Sequence, residues 1–179
     1  NIVAPYAGRI LKKNVDIGAF EFTLFPPYES WAAASGLTAS NNSFSNDAND
    51  DGIPNIVHFA LDTDPLGKGR SEGKRRLEIT SFSDGEKLTL TIPVRVGAIF
   101  SGSPGPEAVV DGIKYQIQGS GDLSSWLENV IEIIPAQSIG LPPLRDLNND
   151  SGPDWEYRTF ALDSPTSSEG FLRLKLESP

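Results

Sequence analysis

The sequence predicts a mainly β protein, an antiparallel β-sandwich over residues 77–179 preceded by a short helical segment and one terminal strand. Three observations carry this expectation. Beyond residue 76, apolar and polar residues alternate in a succession of short runs punctuated by Gly, Pro, Ser and Asp, the pattern of half-buried strands. That region has no apolar spacing of the helical kind needed to cover a parallel sheet. Helical composition is confined to the preceding stretch, where residues 29–35 are rich in alanine and Gly36 stands where a helix would end.

Composition narrows the function before any motif is considered. The chain has 179 residues, no cysteine, no methionine and one histidine, with 24 acidic against 15 basic side chains and a net charge of -9. A chain of this length can bury roughly 70% of its unfolded surface, so a core needs neither disulfides nor a structural zinc. Thiol catalysis, zinc fingers and iron–sulfur sites are excluded. The negative charge opposes nucleic acid or an anionic membrane as the main partner and leaves cations as natural ligands. No apolar run approaches the ~20 residues of a membrane span, and the first residues lack the basic start and apolar stretch of a signal peptide. Without methionine, Asn1 is expected to be the start of a mature, processed or partial chain.

The elements follow in order. In residues 1–25, Val15, Ile17 and Ala19 define a short strand within Asp16-Ile17-Gly18-Ala19-Phe20-Glu21-Phe22. Residues 26–66 form a helix, a polar loop and a second short helix in which Ile56, Phe59 and Ala60 mark one buried face. Residues 67–76, rich in glycine and basic side chains, are expected to be an exposed linker. The strands of residues 77–179 are expected at Leu77 to Phe82, Leu88 to Val94, Ile113 to Gln118, Val130 to Ile134, Trp155 to Leu162 and Phe171 to Leu176, with Asp84-Gly85 turning the first pair.

The sharpest chemical signal is Asp47-Ala48-Asn49-Asp50-Asp51-Gly52-Ile53-Pro54-Asn55. Calcium needs six to eight oxygens at one point, and a chain supplies them compactly from positions 1, 3 and 5, a glycine at 6 and a backbone carbonyl at 7. Asp47, Asn49, Asp51, Gly52 and Ile53 fill those places, making an EF-hand-like loop, and Asn55 falls at position 9. Position 12, a bidentate glutamate in an EF-hand, is His58, a poor ligand for a hard cation. Either the site is weaker or Asp62 or Asp64 completes it. The competing explanation is an Asx-rich loop that holds itself by side-chain to backbone hydrogen bonds without metal.

These residues carry a family resemblance. Tyr28-Glu29-Ser30-Trp31 with Gly36-Leu37, the loop from Asn46 to Asn55, and Phe59-Ala60-Leu61-Asp62-Thr63-Asp64-Pro65 resemble a module near the C-terminus of many secreted proteins of Verrucomicrobia and related bacteria. The loop is also similar to dockerin and thrombospondin type 3 calcium repeats. Arg9 to Phe22 resemble the last coil of secreted right-handed parallel β-helix proteins. Tyr115 to Trp126 and Gly170 to Leu176 resemble a hairpin and the last strand of the β-sandwich that follows the calcium loop in those proteins. The resemblance implies calcium bound through Asp47, Asn49, Asp51 and Asn55, an upstream β-helix in the same protein, and an extracellular or cell-surface location. Family members carry glutamate at the position of His58.

Asp146, Asn148, Asp150 and Asp154 repeat the 1, 3, 5 and 9 spacing, but serine replaces the turn glycine and Tyr157 stands at position 12. That stretch is read first as a long acidic turn and second as another cation loop. Catalysis finds no support. His58, the sole histidine and expected to be a partly exposed helix residue, has no nucleophile motif beside it. No phosphate-binding glycine loop is present. Two functions remain: a calcium-stabilised structural or anchoring module, with neighbouring subunits or surface polysaccharide as partners, or a carbohydrate-binding module. For the second, Trp155 and Tyr157, two apart on one strand face, are the best stacking candidates. Trp126 is the third, with burial beside Tyr115 as its competing role.

Overall fold

The computed structural model describes residues 27–67, 74–147, 152–163 and 169–178; the predicted terminal strand within residues 1–25 and most of the 67–76 linker lie outside them. Helix α1 spans Pro27–Ala34 and α2 spans Asn55–Ala60. The strands are β1 (Arg76–Phe82), β2 (Gly85–Arg95), β3 (Glu107–Val110), β4 (Ile113–Ser120), β5 (Val130–Ile133), β6 (Trp155–Leu162) and β7 (Phe171–Glu177). The protein is mainly β, and every strand pair is antiparallel.

Strands β1-β2-β6-β5 form one sheet and β3-β4-β7 the other. Alternate residues point one way, so Ile113, Tyr115 and Ile117 of β4 and Ile92, Val94, Phe160 and Leu162 of β2 and β6 enter one core cluster. The sheets pack tightly at Gly119, where an added Cβ would lie 2.4 Å from Leu162 Cδ2 and 3.0 Å from Val130 Cγ2. The other face of the four-stranded sheet is covered by residues 134–147. There the Gln137 N–H donates to Thr159 Oγ1 at 2.8 Å, and the Tyr157 hydroxyl donates to the Pro142 carbonyl at 2.7 Å.

The six strands expected beyond residue 76 all form, and one more joins them. β3 is only four residues long, too short for alternation to show, yet Asp111-Gly112 between it and β4 is a strong hairpin signal. Val110 pairs with Ile113, and both turn residues have positive φ, 51° and 73°, as a tight hairpin of this hand requires. β1 alternates as predicted but buries little: Leu77 and Ile79 are 56% and 62% exposed. They share a face with their partners Leu90 and Leu88, but β1 is the edge strand and overhangs the narrower second sheet.

Helix α1 ends as its sequence requires. Leu37 N–H donates to the Ala32 carbonyl and Gly36 N–H to that of Ala33, the paired bonds of a glycine-terminated helix. Helix α2, six residues long, is too short to stand alone. Its free backbone groups are satisfied from outside. At its start, Asn55 and Ile56 donate to the carbonyls of Asn46 and Phe44. At its end, the carbonyls of Val57 and His58 accept from Leu61 and Thr63, that of Phe59 accepts from Trp155 Nε1 at 2.8 Å, and that of Ala60 accepts from the Tyr115 hydroxyl at 3.0 Å. Two strand aromatics thus cap the helix and fix it on the sheets.

Tyr115 also accepts from the Arg95 N–H at 3.3 Å, and burial pushes its phenol far above the ordinary value. Tyr115→Phe leaves the Ala60 carbonyl and the Arg95 N–H without this partner. A loss of about 1–3 kcal/mol in urea-induced unfolding is expected.

Candidate metal centre

The loop between α1 and α2 is shaped by its own side chains. Asp47 Oδ2 accepts from the Gly52 N–H at 2.6 Å and Oδ1 from the Asp51 N–H at 3.2 Å. Asn49 Oδ1 also accepts from the Asp51 N–H at 3.2 Å, and Asp51 Oδ1 accepts from the Ile53 N–H at 2.8 Å. Asp50 and Gly52 sit at φ 58° and 85°. Open space surrounds Gly52, so the backbone angle, and not crowding, is what calls for glycine there. The result is a tight turn with the oxygens of Asp47, Asn49 and Asp51 on its inner side. Burial tends to raise the Asp47 pKa, but N–H donors from Gly52 back to Asn49 outweigh it and hold the carboxyl below its ordinary value.

The turn is moored to the fold at three points. Asn49 Nδ2 donates to the Gly67 carbonyl at 2.5 Å. Asn55 is fully buried, and its Nδ2 donates to the carbonyls of Asn41 and Ser43 at 2.7 and 3.0 Å. Through Nδ2, Asn55, expected as the ligand at position 9, braces the backbone beneath the loop. The third point is His58, which is 4% exposed where a partly exposed helix residue was expected. Its Nδ1 pairs with the Thr63 hydroxyl at 2.8 Å, and Nε2 stands 3.9 Å from Asp51 Oδ1. Burial pushes the imidazole pKa down, and Asp51, Asp47 and Asp64 pull it back only in part.

The two carboxylates expected to complete the loop differ in fate. Asp62 is fully buried and committed elsewhere. Its Oδ2 accepts from Lys74 Nζ at 2.8 Å and from the Arg145 N–H at 3.0 Å, and its Oδ1 accepts from Arg145 Nε. It is an ion-pair centre, not a loop ligand. The predicted exposed linker is correspondingly pinned at its end, because Lys74 is 4% exposed. Asp64 is exposed, with Oδ1 accepting from the Leu66 N–H at 2.9 Å, and remains within electrostatic reach of His58.

Four oxygen donors on one short turn, from Asp47, Asn49, Asp51 and the Ile53 carbonyl, match the donor set of a hard cation. As placed, the side-chain oxygens of Asp47, Asn49 and Asp51 accept from the turn's own N–H groups. Among the described residues, no three acidic or imidazole groups are drawn onto one point closely enough to hold an ion. An oxygen that accepts one N–H bond keeps a lone pair, so these bonds leave ligating capacity on each side chain.

At the second predicted loop, Asn148 and Asp150 lie outside the described residues. Asp154 Oδ2 accepts from the Leu147 N–H at 2.7 Å, and Oδ1 stands 3.7 Å from Arg95. Asp154 is thus tied to Leu147 and, through its N–H, to the Arg145 carbonyl, while Asp146 is half-buried.

Of the aromatic candidates, Trp155 is corrected outright. It has no exposed surface, touches Phe59 edge-on at 6.3 Å, and lies under Arg95 at 4.4 Å. A sugar has no access to it. Tyr157 is half-buried, its hydroxyl tied to Pro142 and pushed up to about 12 by burial and by Asp62. Trp126, whose competing role was the core, is half-buried at the surface with Arg173 over its ring at 3.8 Å. It borders a groove of about 390 Å³ that includes Glu107, Gln116 and Gln118. The turn that leads to it is held by Asp122, whose carboxylate accepts from Ser124, Ser125 and Ser120 and is kept well below the usual range by those donors.

No protein-family profile, curated protein or solved structure matches this chain. Fold and site define a mainly β protein of two antiparallel sheets carrying an acidic Asx loop. No helix among the described residues is long and apolar enough to cross a membrane.

Removing the Asp62 charge leaves the buried Lys74 ammonium facing a neutral partner, beside a half-exposed Arg145. Asp62→Asn is therefore expected to cost about 3–5 kcal/mol, measured by urea unfolding against wild type.

Proposed function

We propose that the chain is a non-catalytic structural or anchoring module of an extracellular or cell-surface protein, with its two sheets forming a β-sandwich and its loop stapled by a divalent cation. Calcium is the ion that the oxygen ladder calls for. The observation that carries this reading is the loop itself: Asp47, Asn49 and Asp51 on the inner side of one turn, moored by Asn49, Asn55 and His58 to the fold. Two carboxylates, one amide and one carbonyl make a weak site by the standard of charge count, and weak sites suit the millimolar calcium outside cells. The resemblance to secreted bacterial proteins points the same way and supplies the expected neighbour, an upstream β-helix in the same protein, with surface polysaccharide or adjoining subunits as further partners.

A cation bound only by the folded state at about a hundred times its Kd adds ~2.7 kcal/mol, roughly 5–10 °C in Tm for a chain of this size. Chelation is expected to lower the melting temperature of the calcium-loaded chain by that amount and to leave an Asp47→Ala/Asp51→Ala double variant unmoved. A chelator-insensitive wild-type melt would count decisively against the staple.

Carbohydrate binding remains a second reading, now moved to the groove that Trp126 lines together with Gln116 and Gln118, whose amides are suited to sugar hydroxyls. Retardation in polysaccharide affinity gels that disappears in Trp126→Ala would support it, and equal mobility on a broad panel of glucans and uronates would rule it out.

A further inference from the structure

An all-oxygen cation loop places a bidentate carboxylate at position 12, and here that place holds an imidazole whose surroundings are unusual. The His58 side chain is only 5% exposed. Its Nδ1 is occupied by Thr63, whereas Nε2 is buried without a hydrogen-bond partner and faces the loop, 3.9 Å from Asp51 Oδ1. The ring also feels the Ile53 backbone and the carboxylates of Asp47 and Asp64. Buried ring nitrogens are ordinarily paired, so an orphan aimed at a carboxylate requires an explanation.

The Thr63 hydroxyl can donate to Nδ1 or accept from it, so the contact admits a tautomer with the proton on Nδ1. In that tautomer Nε2 carries a lone pair directed at the loop, the arrangement by which an outer partner favours metal binding. There the lone pair and the carboxylate oxygen repel unless something positive lies between them. The 3.9 Å between them is less than twice a ~2.1 Å ligand bond, so one ion can touch both. Calcium does not fit a nitrogen in this place, because it prefers oxygen throughout. First-row divalent cations accept mixed carboxylate, carbonyl and imidazole donors.

We infer that His58 Nε2 is a ligand of the loop, alongside Asp47, Asn49, Asp51 and the Ile53 carbonyl, and that the loop therefore takes a first-row divalent cation, zinc or manganese, in preference to calcium. This rests on the loop being a cation site, and it changes which ion the site selects.

The chain offers a clean test, because it has one histidine and no cysteine. In the untagged full chain, any imidazole-bound metal must be on His58, and no thiolate competes. Titration with ZnCl2 is expected to shift the Nε2 resonance of the single imidazole in 15N NMR at one equivalent, whereas CaCl2 leaves it in place. His58→Gln should lose roughly ten-fold or more in zinc affinity while retaining its calcium affinity. His58→Glu should invert the preference. Metal-free melts of both variants establish that they fold.

If calcium stabilises the chain while zinc and manganese do not, or if His58→Gln binds zinc as wild type does, His58 is no ligand and the ion preference is wrong. An Nε2 that titrates only with protons, paired to Asp51, overturns the ligand role in the same way. If no cation stabilises the chain at all, the loop is not a cation site and the broader proposal fails with it.

Discussion

Asp62 has no contact with water, and three separate segments are arranged around its carboxylate. It follows α2 at a positive φ of 52°, receives Lys74 from the approach to β1, and receives Arg145 from the segment that covers the four-stranded sheet. Lys74 also donates to the Asp62 carbonyl, and Arg145 to that of Thr63. A buried charge cluster of this kind adds little net stability, but it penalises any arrangement that leaves one member unpaired. Its effect here is positional: the end of the helical segment, the start of the first sheet and the covering segment meet in one way.

Around that point the helical segment and the sheets share one core. Tyr28, Trp31, Phe44 and Phe59 stack with ring centroids 4.1 to 5.4 Å apart, and Phe59 continues to Trp155. Arg95 lies over both Phe59 and Trp155 and is held by Asp111 at 2.7 Å. Phe59 and His58 are adjacent in α2, so the helix that packs on Trp155 also carries the imidazole that stands 3.9 Å from Asp51.

The sheet strands are legible because alternation needs only local information, and the acidic loop because its oxygens come from residues close together in the chain. β3 escapes notice although Asp111-Gly112 advertises it, since four residues carry too little alternation to register. Trp155 misleads for a different reason. Its pairing with Tyr157 on one strand face is real, but the sequence does not say that α2 and residues 134–147 cover that face. Asp62 sits in an acidic string that continues the loop motif, and only the approach of Lys74 and Arg145, the latter 83 residues away, turns it into an ion-pair centre.

By itself, the sequence determined the mainly β, antiparallel character of the chain, the positions of most strands and the Asx turn at Asp47 to Ile53. Each of these follows from spacing within a few residues. Tertiary structure decided which face of each strand meets solvent, that Leu77 and Ile79 overhang while Trp155 disappears, and that Asn55 and Asp62 support the fold. It also decided that His58 is buried with its Nε2 toward the loop. Burial and pairing depend on residues far apart in the chain coming together, and no local pattern encodes that meeting.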